Sequence, residues 1–169
     1  MITIVKARIK RSGQKQIKAS NAIEIKNQGA FAYLYSTQSQ QHRRNTAVAF
    51  ERKGPNNNIA VINQNRTIVV RRRGTYRINW VVTLESTDVS GNETARYNLT
   101  RNGTVVPGST YIENVQLTMP EKLRPKQLMG LLLVNLRAGD RLQIVSRSTQ
   151  NLIRIRPGDV TASIVVNRV

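Results

Sequence analysis

Residues 74–84 read G-T-Y-R-I-N-W-V-V-T-L. Tyr76, Ile78, Trp80, Val82 and Leu84 alternate along it with Arg77, Asn79, Val81, Thr83 and the following Glu85. Successive side chains of an extended chain point to opposite faces, so a period of two sets one apolar face against a core and turns the other away from it. Trp80, the only tryptophan of the chain, stands at the middle of the apolar face. Gly74 marks the start, directly after Arg71, Arg72 and Arg73. The segment predicts a central core strand with Trp80 as a packing residue.

On either side of this strand the chain reads as short extended segments cut by polar turns. Upstream, residues 30–36 (A-F-A-Y-L-Y-S) are apolar on both faces and 38–45 form a polar loop. Residues 47–51 predict a short strand, 54–58 (G-P-N-N-N) an open turn, and 59–62 and 66–70 two further strands. Downstream, 94–101 predicts a strand closed by Asn102-Gly103, since both central positions of a type I′ turn require positive φ. The chain returns over 104–106, turns at Pro107-Gly108 and continues as a strand over 111–119. Residues 128–136, again apolar on both faces, then 142–148, 151–156 and 160–169 complete the set. Turns at 138–140 and 157–159 separate them, and no segment sustains a helical period. Evenly spaced short strands of this kind read as an all-β sandwich or barrel.

Two strands with two apolar faces pose a burial problem, because an antiparallel sandwich covers only one face of each strand. Either another layer of the same chain or a second subunit must cover the other face, and the second is the favoured reading.

The chain of 169 residues is the size of one domain. Its formal net charge is +18, from 27 Lys and Arg against 9 Asp and Glu, which attracts polyanions without choosing among them. Without cysteine, disulfides and thiolate metal sites are excluded. The sequence shows no apolar core of a secretory signal after Met1, and its longest apolar run, 128–134, is too short to span a bilayer, so no membrane insertion is expected.

Several motifs in order along the chain resemble the compact jelly-roll superfamily of tumour necrosis factor and the globular head of the complement q subcomponent. Ala30-Phe31 opens the first strand, and Val48-Ala49-Phe50 precedes an Asn-rich loop. Gly74-Thr75-Tyr76 is similar to the Gly-x-Tyr core strand of that superfamily, and Leu99 to Gly103 to its Asn-Gly hairpin. Residues 136–142 (L-R-A-G-D-R-L) resemble its Leu-x-x-Gly-Asp-x-Leu turn, and 162–166 (A-S-I-V-V) its closing strand. The segment Asn102 to Ser109, N-G-T-V-V-P-G-S, is similar to the C-terminal domain of the collagen-like glycoprotein of the Bacillus spore exosporium. The Gly-x-y repeat of a collagen stalk is not part of this chain. The resemblance implies a jelly-roll β-sandwich of about ten antiparallel strands, assembled as a compact homotrimer, over residues 29–169, with residues 1–28 as a basic N-terminal extension or arm. It implies a non-enzymatic structural or binding role, with a bacterial spore surface or other outer layer as the favoured setting and no cofactor.

Trimer contacts are expected from Phe31, Tyr33, Tyr35, Met129, Leu131 and Leu133. The alternative role is a polyanion-binding module, for nucleic acid or an anionic polysaccharide, or a phage receptor-binding tip. Its contact would be Arg71, Arg72 and Arg73, with Lys6, Arg8, Lys10 and Arg11 in the arm. Arg66, Arg77, Arg154 and Arg156 join the cluster if the strands align. His42, the only histidine, lies in a polar loop beside Arg43 and Arg44, whose charges disfavour its protonation, and is expected at the surface. The densest acidic group, Glu85, Asp88 and Glu93, reads as loop charge rather than a cation site. Asp140 and Asp159, each after a glycine, are expected to bond the backbone of their turns.

Overall fold

The structure, a computed structural model, describes residues 29–86, 92–116, 126–148, 153–155 and 160–169. Residues 1–28, with Lys6, Arg8, Lys10 and Arg11, lie outside the described residues, as do Asp88, Arg156 and Asp159, and the side chains of Glu85, Glu93 and Arg154.

The described residues are all-β. They form β1 (Phe31–Ser36), β2 (Gln41–His42), β3 (Arg52–Asn57), β4 (Ile59–Ile62), β5 (Thr67–Val70), β6 (Gly74–Ser86), β7 (Asn92–Arg101), β8 (Thr104–Gln116), β9 (Lys126–Leu136), β10 (Arg141–Ser146), β11 (Ile153–Ile155) and β12 (Ala162–Arg168). The first sheet runs β2-β11-β6-β12-β1-β3, with β9 on the other edge of β6, and the second runs β4-β5-β10-β7-β8. All the pairings are antiparallel. This is a jelly-roll sandwich.

β6 is the axis of the first sheet. One edge pairs with β9 from Gly74↔Leu136 to Leu84↔Lys126; the other pairs with β12 and then with β11. Tyr76, Ile78, Trp80, Val82 and Leu84 are all buried, as their alternation predicts. They meet Ile68, Val70, Ala95, Tyr97, Leu99, Leu142 and Ile144 of the second sheet in one core. Trp80 spans the gap between the sheets, with Tyr97 at 6.3 Å and Tyr111 edge-on at 5.4 Å and 89°. Opposite it in β9 is Gly130, where a Cβ would run into the indole ring, so only glycine leaves the Trp80 ring its space.

The Asn102-Gly103 hairpin forms as expected, with φ of 52° and 84°. Three local expectations are corrected. Residues 47–51 are not a regular strand: only Ala47 bridges another strand, at Val145. The Gln40 side chain supplies the missing ladder, donating to Ala49 O (2.8 Å) and accepting from Ala49 N (2.9 Å). Residues 54–58 are not an open turn, because β3 occupies most of them as the edge strand beside β1, where Pro55 forfeits no ladder bond. Pro107-Gly108 does not reverse the chain. β8 runs through it as a bulge, with residues 106–109 opposite Leu99 alone, and Ser109 Oγ donates to the Leu99 carbonyl at 3.0 Å.

Candidate functional site

The face of the first sheet turned away from the core follows from register. Three rows cross it: Phe31, Asn167, Arg77 and Leu133; Tyr33, Val165, Asn79 and Leu131; Tyr35, Ser163, Val81 and Met129. Tyr33 and Tyr35 stack on each other with ring centres 5.3 Å apart. In β9 the inward residues Leu128, Gly130 and Leu136 are buried, whereas Met129, Leu131 and Leu133 are 60%, 61% and 68% exposed. Phe31 and Val165 are exposed as well. The apolar residues of β1 and β9 thus lie on one surface with β12 and β6 between them. Isolated exposed apolar side chains are ordinary; here several share one sheet face, with Asn167, Arg77, Asn79 and Ser163 among them.

A second feature lies at the end of the sandwich where β6 begins and β9 finishes. A cleft of about 490 Å³ is lined by Arg73, Gly74, Thr75, Arg101, Asn135, Leu136 and Arg137. Asp140 organises it from beneath. Its carboxylate accepts from Arg137 N (2.7 Å), Asn102 Nδ2 (2.8 Å) and Arg101 Nε (2.9 Å). Burial opposes ionisation of Asp140, but these hydrogen bonds and the Arg101 charge outweigh it and hold the carboxyl below its usual range. Arg101 is also fixed by a bond from Nη1 to Asn135 O at 3.3 Å. Tyr76 ties the entering chain to this end, its hydroxyl donating to Arg72 O at 2.7 Å. Burial raises the Tyr76 phenol above its usual value against the opposing charges of Arg168 and Arg72.

His42 is not a surface loop residue. It is fully buried in β2, and a cleft of about 410 Å³ lined by Gln38, Gln40, Glu51, Gln64 and Arg66 adjoins it. Its Nδ1 is 2.7 Å from Tyr97 Oη and its Nε2 is 3.2 Å from Gln40 Oε1. Since Gln40 Oε1 can only accept, Nε2 carries the proton and Nδ1 accepts from Tyr97. Burial, followed by the charge of Arg66, lowers the His42 pKa to about 4. The expected depression is present, yet it comes from burial and Arg66, not from Arg43 and Arg44. With both ring nitrogens engaged, His42 has no lone pair for a substrate.

The structure brings Phe31, Tyr33, Tyr35, Met129, Leu131 and Leu133 onto one sheet face. Arg71, Arg72 and Arg73 lie in the link between β5 and β6, and Arg73 enters the cleft. Arg66 does not join them. It lies beyond the other end of β5 and donates to Ala47 O. Arg77 faces the apolar surface instead. The partners of Arg73 are Arg101 and Arg137, which sequence reading missed: Arg101 ends β7 and Arg137 follows the end of β9, and only the Asp140 turn motif beside them was visible. Among the described residues, no group of three His, Asp or Glu is placed to hold a metal ion, and no helix is long and apolar enough to cross a membrane.

Comparison with solved structures identifies the fold. The chain is similar to the structure of Eiger TNF from S. frugiperda, with TM-score 0.58, 14% identity, and coverage of 83% of this chain and 92% of that one. It is also similar to the globular domain of zebrafish complement 1qA protein, with TM-score 0.53, 13% identity, and coverage of 82% and 94%. No family model and no curated protein matches the sequence. At this identity the likeness shows the fold: a jelly roll of the tumour necrosis factor and complement q type.

Proposed function

We propose that this chain is a non-enzymatic binding or structural domain that works as a homotrimer, with the outer face of the first sheet as its self-contact. The exposure of Met129, Leu131 and Leu133 on one face of β9 carries this reading. Three large aliphatic side chains in consecutive outward positions, continuous with Val81, Val165, Tyr33 and Phe31, favour burial against a like surface. The motif resemblance, which implies a compact trimer, points the same way. Residues 29–169 would form the assembling domain, and residues 1–28 a basic extension. A non-catalytic role accords with the engagement of both His42 nitrogens and of both Asp140 carboxylate oxygens.

A bacterial outer layer of the spore-surface kind is the proposed setting. It rests on the similarity of Asn102 to Ser109 to the exosporium glycoprotein domain, and genes for sporulation beside this one would support it. Equilibrium sedimentation of the full chain tests the assembly. A mass three times that of the chain at micromolar concentration is expected, and a monomer there overturns the reading.

A further inference from the structure

The cleft at the start of β6 has a composition that self-assembly does not explain. Three of its seven lining residues are arginines, and none is acidic. The nearest carboxylate, Asp140, is already engaged by three donors. Arg101 is held from two sides, by Asp140 and by the Asn135 carbonyl. These take two of its five N–H donors, so its guanidinium is fixed with donors to spare. Among the described residues, neither Arg73 nor Arg137 has an ion-pair partner. Thr75 Oγ1 donates to Asn135 Oδ1 at 2.7 Å, which occupies that amide's acceptor and leaves its NH2 group as a donor. The wall is therefore rich in donors and poor in acceptors, and its fixed charge is positive.

We infer that this cleft is an oxyanion-binding site, which takes a sulfate, phosphate or carboxylate group of its ligand between Arg73, Arg101 and Arg137. The planar fork of arginine matches such groups with paired hydrogen bonds. A volume of about 490 Å³ exceeds one inorganic anion and fits a sugar unit bearing one. The lining holds no aromatic ring on which a base could stack, so an anionic polysaccharide is favoured over single-stranded nucleic acid. All the residues come from one chain, so the site does not depend on trimer formation.

Calorimetric titration of the full chain with inorganic sulfate, a heparin hexasaccharide and a thymidine oligonucleotide of equal charge tests this. Sulfate alone should bind, and the hexasaccharide should bind roughly tenfold tighter or better, because several anionic groups share one attachment. Arg73→Ala with Arg137→Ala should weaken the hexasaccharide by about tenfold or more, the range expected for charge-assisted hydrogen bonds. The Arg137 backbone amide still reaches Asp140 in that variant, so the turn is kept. Arg43→Ala with Arg44→Ala removes the same charge from an exposed loop and should leave affinity within about twofold, as expected of screened surface charge. Equal loss in both variants would reduce the effect to diffuse charge and overturn the site. So would failure of both sulfate and the hexasaccharide to bind. Binding of sulfate but not of the hexasaccharide beyond it, or tighter binding of the oligonucleotide, would overturn the polysaccharide assignment.

Discussion

The Tyr111 hydroxyl donates to the carbonyl of Leu131 at 2.9 Å and accepts from its amide at 3.1 Å. Tyr111 belongs to β8 in the second sheet, and Leu131 to β9 in the first. Among the described residues β9 pairs with β6 alone, so its other edge has no strand beside it there. One side chain from the opposite sheet satisfies both groups of one residue and closes the open side of the sandwich. The same ring stands edge-on to Trp80. Tyr111→Phe keeps the ring and deletes both bonds. It should cost about 0.5–1.5 kcal/mol, the net range for hydrogen bonds whose groups water can reach. Chemical denaturation that finds less than about 0.5 kcal/mol, the usual scatter of surface substitutions, would show that water replaces the hydroxyl freely.

Trp80 and Gly130 should behave as one unit. Trp80→Ala empties the middle of the core and should cost about 3–5 kcal/mol. Gly130→Ala overfills it, and about 1–3 kcal/mol is expected from the forced shift of the indole. Combined, the two should cost less than their sum, because the alanine methyl then enters space the indole has vacated. Additive losses in a denaturation cycle would place the Gly130 strain elsewhere.

Residues whose role follows from their own neighbours were legible in the sequence. The alternation around Trp80 set out β6, and Asn102-Gly103 its hairpin, because period and φ are local properties. Phe31 and Leu131 announced an uncovered face for the same reason. Long-range partners were not legible. His42 reads as a surface residue beside two arginines, and its burial rests on a partner 55 positions away, Tyr97. Residues 47–51 look like a strand because Val48 and Phe50 are buried, yet their backbone bonds go to Ile144, to Asn65 and to a glutamine side chain. Arg101 and Arg137 give no signal as a pair until the ends of β7 and β9 are brought together.

Burial of neutral His42 makes stability depend on pH with a definite sign. Its folded pKa of about 4 lies below the ordinary 6.5. Below 6.5 the unfolded chain binds a proton that the folded one refuses. Stability from this residue is thus full above pH 6.5, falls as pH drops toward 4, and levels off below that. The loss should be about 3 kcal/mol across this window. His42→Gln should flatten that part of the profile. An unchanged slope between pH 6.5 and 4 in the variant would assign the dependence to other groups.

Asp140→Asn should loosen the β9–β10 turn by about 2 kcal/mol, since a charged acceptor with three donors is replaced by a neutral one. Because the folded pKa of Asp140 is depressed below 3.8, its contribution is present above that pH and lost as pH falls through the folded value. Melting curves of wild type and variant should therefore differ at neutral pH and converge in strong acid. A constant difference down to strong acid would mean that the carboxylate charge is not what holds Arg101.

Self-assembly through the β9 face makes the sharpest prediction about surface residues. The Leu131 side chain projects outward, and only its backbone serves the Tyr111 staple, so a substitution there alters the surface and spares the fold. Glutamate would be a poor choice, because Arg77 stands in the neighbouring row and could neutralise it. Lysine adds repulsion to a chain that already carries +18. Met129→Lys with Leu131→Lys should convert the trimer to monomers in sedimentation, with an unchanged β-sheet signal in circular dichroism. The melting temperature of wild type should rise with protein concentration and that of the variant should not, since assembly stabilises only the species that binds. A trimer that survives both lysines would show that the uncovered face of β9 is not the contact and that another surface holds the copies together.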